Sequence, residues 1–186
     1  MANLKLYMLL IGCKPPGRHT EQHDIFFAIG ESVKEILPLV RSFWKDAKTY
    51  HIDAWREVNS VDGYKVICSE TKGSEGEEAK LFFINLGGYK HNEFDEFHYK
   101  VITAATDKGK AIAAAKQTAF YKHYSAGGSA RSHVDDKYGI DVDDFYEIAD
   151  ILPDAQKNKY FIQLVPSDEK IEDEIFIGYF KPETFE

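Results

Sequence analysis

Imidazoles and carboxylates recur in this chain two residues apart: Glu21 with His23, His51 with Asp53, Glu96 with His98, and His133 with Asp135. Alternate residues of a strand share a face, so on strands each pair sets an imidazole beside a carboxylate. Such a pair fixes the ring's tautomer and favours its charged form, which suits a general base, a metal ligand or an anion-binding cation. It also suits nothing more than a satisfied polar group that fastens a loop to the edge of a core.

The first pair has the richest surroundings. His19, Glu21 and His23 form a chelating row if the segment is extended, and zinc asks for three or four N, O or S donors. They are the candidate metal ligands. Read as a catalytic group, the set is His23 and Glu21 with Asp24, although Asp24 as His23's neighbour on a strand points to the opposite face. Candidate ligand-binding residues are Arg18, His51, Asp53, Trp55, Glu96 and His98, with Trp55 and Tyr64 on successive strands as pocket walls or as core. Cys13, close to Lys14 and Arg18, is a candidate for a thiol of lowered pKa. There is no Walker loop, dinucleotide fingerprint or Gly-x-Ser-x-Gly elbow.

The elements that must position these residues come in two copies. "KLYMLLIG" at 5–12 returns as "KLFFINLG" at 80–87, and the register holds: Gly12 falls on Gly87, Glu21 on Glu96, His23 on His98, Ser32 on Asp107. Phe94 stands for His19 and Tyr99 for Asp24, which makes the first copy the richer in chemistry. Farther on, "HIDAWREVNSVDGY" at 51–64 aligns with "HVDDKYGIDVDDFY" at 133–146, pairing His51 with His133, Asp53 with Asp135 and Tyr64 with Tyr146. The duplication also decides the opening "LKLYMLLIGC", which resembles a lipoprotein cleavage signal. An apolar segment that recurs in mid-chain reads as a strand, and about eight apolar residues behind one lysine is short for a signal.

Each copy reads as ββαββ. The strands are "LYMLLIG" and "HDIFFAI", then "TYHIDAWREV" and "GYKVICSE"; in the second copy the last two are "RSHVDDKYGI" and "DFYEIADI". Ser32 with Glu35 makes a capping box, and apolar residues from Val33 to Trp44 keep helical spacing to about residue 46, with Pro38 expected to kink or delay the helix. Asp107 caps the longer, Ala-rich second helix. The predicted organisation is a first repeat over 1–70, a linker at 70–78, a second repeat over 79–152, and C-terminal strands over 153–186 that complete one globular body. The fold class is α+β, with antiparallel sheet packed on helices and the copies related by pseudo-two-fold symmetry.

Composition bounds the partners. The chain has 186 residues, 44% of them apolar, enough for a real core. A net charge of -8 gives no electrostatic reason to approach nucleic acid or an anionic membrane. Cys13 and Cys68 are the only cysteines, which excludes a disulfide framework and suggests a reducing compartment.

The run "LYMLLIGCKPPGRHTEQHDIFFAIG", with "FW" at 43–44 and "HIDAWREVNSVDGYKV" at 51–66, resembles a bacterial family known as domain of unknown function 1543. The resemblance covers the first copy, and residues 79–152 resemble a divergent domain of the same kind. It implies one or two copies per chain and a bacterial, cytoplasmic origin, and it transfers no activity. The residues themselves lead to two expectations. The first is a non-catalytic module that binds a small ligand or a protein in a cleft between the copies. The alternative is a metal-assisted or His-based hydrolase built on the His/Glu cluster of the first repeat, for which a divalent metal is the cofactor. Exposed sheet edges offer pairing surfaces for a homodimer in either case.

Overall fold

The computed structural model describes residues 3–45, 47–73, 79–89, 92, 94–126, 141–169 and 171–185. The chain divides into two compact units, the first built from 1–75 with 149–186 and the second from 76–148. In chain order the elements are β1 (Lys5–Cys13), β2 (Gln22–Gly30), α1 (Val33–Phe43), β3 (His51–Glu57), β4 (Ser60–Val61), β5 (Tyr64–Ser69), β6 (Lys80–Tyr89), β7 (Glu96–Ala105), α2 (Lys108–Ala126), β8 (Asp141–Glu147), α3 (Ile148–Ile151), α4 (Asp154–Lys157), β9 (Phe161–Pro166) and β10 (Phe176–Phe180). Antiparallel sheets with a few helices make the protein α+β.

In the first unit the strand order is β10-β3-β1-β2. Tyr7, Leu9 and Ile11 of β1 turn to one face, where they pack with Phe26, Ala28 and Ile52 against Val33, Ile36 and Val40 of α1. The helix starts where its capping box predicts: Ser32 Oγ accepts from the Glu35 N–H, and the Glu35 carboxylate accepts from the Glu31 N–H at 2.7 Å. Pro38 does not delay it, and the helix ends at Phe43, short of the predicted residue 46. A second, three-stranded sheet, β4-β5-β9, holds the predicted strand "GYKVICSE", so the last two strands of the first repeat lie in different sheets. The C-terminal strands divide likewise: β9 pairs with β5 and β10 with β3.

One edge of the first sheet is closed by a side chain. Gln156 of α4, nearly fully buried, accepts from the Ile29 N–H at 2.9 Å and donates to the Ile29 carbonyl at 2.5 Å, doing for β2 what a further strand would.

The second unit has a sheet of order β7-β6-β8, with Phe82, Ile84 and Leu86 packed on Ala111 and Ala115 of α2. Asp107 caps that helix by accepting from the Lys110 N–H at 3.0 Å. Its third strand differs from the sequence reading. Gly12 pairs with His51 and Gly87 with Asp141, so "HIDAWRE" corresponds in register to "DVDDFYE" at 141–147 rather than to the segment starting at 133. Tyr146 therefore falls at the place of Arg56, not Tyr64, and the chain turns helical at Ile148 instead of continuing as the strand "DFYEIADI". His133 and Asp135 lie outside the described residues, as do positions 74–78 of the predicted linker.

Candidate functional site

The site in the first unit is set by strand order. Because β1 lies between β2 and β3, Gly12 pairs with His23 on one side and His51 on the other. Side chains alternate along β1, so while Ile11 faces α1, this cross-strand row of His23, Gly12 and His51 lies on the opposite face. Glycine in the middle leaves open the space that the His51 ring and the Asp53 carboxylate enter. A Cβ built on Gly12 would stand 2.5 Å from His51 Nε2 and 2.8 Å from Asp53 Oδ2.

A β-bulge delivers the fourth group. Ile52 pairs with Ile11 and Ala54 with Leu10, leaving Asp53 as the extra residue of β3. A bulge re-aims the side chain it carries, and here it turns the Asp53 carboxylate toward both histidines. Glu21, two residues before His23, comes in from the other side.

The four groups close into a ring. His23 Nε2 lies 3.5 Å from Glu21 Oε2 and 3.2 Å from Asp53 Oδ2, while His51 Nε2 lies 3.4 Å from Glu21 Oε1 and 3.1 Å from Asp53 Oδ1. Four donors about 2.0–2.1 Å from a zinc ion at the corners of a tetrahedron would stand about 3.3–3.4 Å apart. The nitrogen–oxygen separations are of that size, with each carboxylate meeting the two rings through different oxygens, and the ligand atoms that all lie within 4.8 Å of one another are those of Glu21, His23 and His51.

The alignment of the groups agrees. His51 is 4% exposed, yet its Nε2 has no hydrogen-bond partner, and Asp53 Oδ2 is likewise buried without one. His51 Nε2 is thus close to both carboxylates without an aligned N–H donation to either. A buried polar atom without a partner otherwise costs about 1–3 kcal/mol. Two imidazoles and two carboxylates suit zinc or a neighbouring first-row divalent cation. Glu21 and His23 are each 43% exposed at the side chain, so solvent reaches this cluster from one side. On the other, the Tyr179 ring stacks on His51 at 4.2 Å and 25°.

Several residues named from sequence stand elsewhere. The cluster takes Glu21, His23, His51 and Asp53; His19 and Arg18 lie in the exposed loop ahead of it, and the Arg18 N–H donates to the Pro15 carbonyl. Asp24 pairs with Ile11 and accepts from the Ile25 N–H at 2.7 Å. Trp55 is drawn away by the same bulge that brings Asp53 in. The extra residue shifts the alternation, so Trp55 joins the helix-facing core and stacks on Phe176 at 4.2 Å. Tyr64 lies in the other sheet. Cys13 is buried, and burial together with the Glu21 charge pushes its thiol up, the reverse of an activated nucleophile.

The second unit carries a related cluster of Glu96, His98 and Asp143. Gly87 is the central glycine, paired with His98 and Asp141, and Asp143 is again the bulged residue, between Val142 and Asp144. A Cβ on Gly87 would strike the Asp143 carboxylate. Here, though, His98 Nδ1 lies 3.2 Å from Asp143 Oδ2 and also 3.2 Å from the Asn85 amide nitrogen, which in turn donates to Asp144 at 3.1 Å. Asn85 takes the register place of Leu10, and an aspartate, Asp141, that of His51. His98 sits in a hydrogen-bonded network with one imidazole.

Beside the first cluster is a cavity of about 540 Å³, and His51 belongs to its wall. Sequence reasoning missed Asp143 because it did not foresee the bulge, and missed this cavity because its walls come from segments far apart in the chain.

Fold and site together define an α+β protein with a His/carboxylate cluster gathered across a central glycine of an antiparallel sheet. Residues 18–67, which include all four members of that cluster, match the model of the family described as Domain of Unknown Function (DUF1543). The fold is that of a protein from Idiomarina loihiensis, Il1583, whose crystal structure aligns with a TM-score of 0.58 over 96% of this chain and 97% of that one, at 23% identity. No curated protein matches. No helix among the described residues is long and apolar enough to cross a membrane.

Proposed function

We propose that the protein is a non-catalytic binding module whose ligand is a divalent metal of the zinc class, held in the first unit by Glu21, His23, His51 and Asp53. The observation that carries this reading is the buried, partnerless Nε2 of His51, 3.4 Å from Glu21 Oε1 and 3.1 Å from Asp53 Oδ1. Four protein donors make a closed set, and closed sets serve binding or structure, whereas catalytic zinc keeps one position for water. The test is native mass spectrometry of the purified chain, followed by zinc titration against a chelator. One zinc per chain, lost in His23→Ala and in Asp53→Asn, is the expected result; a chain that takes up no zinc overturns the reading.

One observation favours a hydrolytic alternative. Glu21 is the most exposed carboxylate of the ring, and if it yields its place to water, His23, His51 and Asp53 remain as a three-ligand site with Glu21 as general base. Glu21→Gln separates the two readings. A closed site loses zinc affinity, while a hydrolase keeps its zinc and loses turnover.

The second unit is, in this reading, a diverged copy of the first. The shared strand order, the central glycines Gly12 and Gly87 and the bulges at Asp53 and Asp143 support a tandem duplication, and the free thiols of Cys13 and Cys68 support a reducing compartment such as the bacterial cytoplasm.

A further inference from the structure

The cavity beside the cluster has an unusual charge for this protein. The chain carries a net charge of -8, yet Arg41, Lys48 and Lys181 line this one space, with Glu183 as the only carboxylate. Three cations against one anion leave two positive charges facing the same volume. Among the described residues, none of the three is in an ion pair.

Arg41 has a second task. Its Nη1 donates to the carbonyls of Ala47 and Lys48, each at 3.0 Å, so the end of α1 holds in place the loop that presents Lys48. Tyr50 and Tyr179 supply flat walls, and the Tyr50 hydroxyl is tied to the Leu37 carbonyl at 3.3 Å. A volume of about 540 Å³ is several times that of a bare phosphate and lies in the range of small-molecule pockets, about 300–1,000 Å³.

The geometry points to a binding site for a small phosphate monoester, its dianionic head among Arg41, Lys48 and Lys181 and its body between Tyr50 and Tyr179. At neutral pH a phosphate monoester carries close to two negative charges, which matches the surplus of the lining; a carboxylate offers one. Oxyanions are met by lysine as a point charge and by arginine through its planar fork. The site stands independently of the metal reading, except that His51 belongs to both, its Nε2 facing the carboxylates and its ring forming part of the cavity wall.

The test is calorimetric titration of the chelator-treated chain with phenyl phosphate, with benzoate as the single-charge control of similar shape. Saturable one-to-one binding of phenyl phosphate, weakened about tenfold or more by the double substitution Lys48→Ala/Lys181→Ala and about tenfold weaker for benzoate, supports the site. No saturation by about 10 mM phenyl phosphate, equal binding of benzoate, or no effect of the double substitution overturns it. Zinc uptake by the same variant is measured alongside. Zinc bound without phenyl phosphate refutes the cavity alone, and phenyl phosphate bound without zinc refutes the metal alone.

Discussion

His23 and His51 reach the same pair of carboxylates from opposite sides of Gly12, through which their strands are joined. The glycine is required by space rather than by backbone conformation. Any side chain at that position would collide with the His51 ring and the Asp53 carboxylate, since a Cβ would already stand 2.5 Å from His51 Nε2 and 2.8 Å from Asp53 Oδ2.

Gly12→Ala is therefore expected to abolish zinc uptake and to destabilise the metal-free chain by about 1–3 kcal/mol, as overpacking does in a closed space. Zinc titration and urea unfolding of the variant check both halves. A folded, zinc-binding Gly12→Ala would mean that the ring of donors is looser than its distances indicate.

His23→Ala separates ligation from structure. The side chain is 43% exposed, so its loss should change the stability of the metal-free chain by no more than about 0.5 kcal/mol. Zinc affinity should fall by about 100-fold or more, because even a partner behind a ligand is worth about 10–100-fold. Thermal melts with and without zinc read the two effects. A large loss in the metal-free melt would instead make His23 a structural fastening.

How much of this was legible in the sequence turns on particular residues. The i, i+2 pairing of Glu21 with His23 and of His51 with Asp53 was readable, because strand alternation is a local rule. So were the recurrence of Gly12 at Gly87 and the cap at Ser32. That the two pairs meet was not readable, since it needs β1 to lie between β2 and β3. The bulge was hidden for a similar reason: an extra residue leaves no mark in hydrophobic pattern, and it moved Asp53 into the site and Trp55 out of it. Without it, "DVDDFYE" could not be recognised as the counterpart of "HIDAWRE".

Gln156 gives a prediction on stability alone. Its amide makes two hydrogen bonds to Ile29 in a buried setting. Gln156→Ala strands one N–H and one carbonyl, and each buried orphan costs about 1–3 kcal/mol, so the variant should lose about 2–6 kcal/mol in urea unfolding with its zinc stoichiometry intact. A loss below about 1 kcal/mol would show that water takes over both bonds.

Tyr7 predicts the alkaline limit of the first unit. Burial and the nearby Glu57 push its hydroxyl up to about 12, from about 10 in an unfolded chain. A folded-state pKa above the unfolded one favours folding below the lower value and loses that contribution as pH rises through the higher, so stability should fall between about pH 10 and about pH 12. Tyr7→Phe should move the alkaline unfolding midpoint to higher pH. It should also cost about 0.5–1.5 kcal/mol at neutral pH, through the lost hydrogen bond to the Glu31 carbonyl. An unchanged alkaline midpoint would assign the transition to other groups.

His98→Ala asks whether the second cluster shares the chemistry of the first. His98 Nδ1, the nitrogen nearest Asp143, also faces the Asn85 amide at 3.2 Å, and Glu96 stands 3.9 Å from Nε2, against 3.5 Å for Glu21 and His23 in the first unit. One imidazole already held in a hydrogen-bonded network makes a poorer zinc site than two directed at a common point. The variant should therefore bind one zinc with the affinity of the parent chain, and adding His98→Ala to His23→Ala should change nothing further. If His98→Ala alone halves a stoichiometry of two, the clusters are equivalent and the substitutions at Asn85 and Asp141 leave the second site's affinity intact.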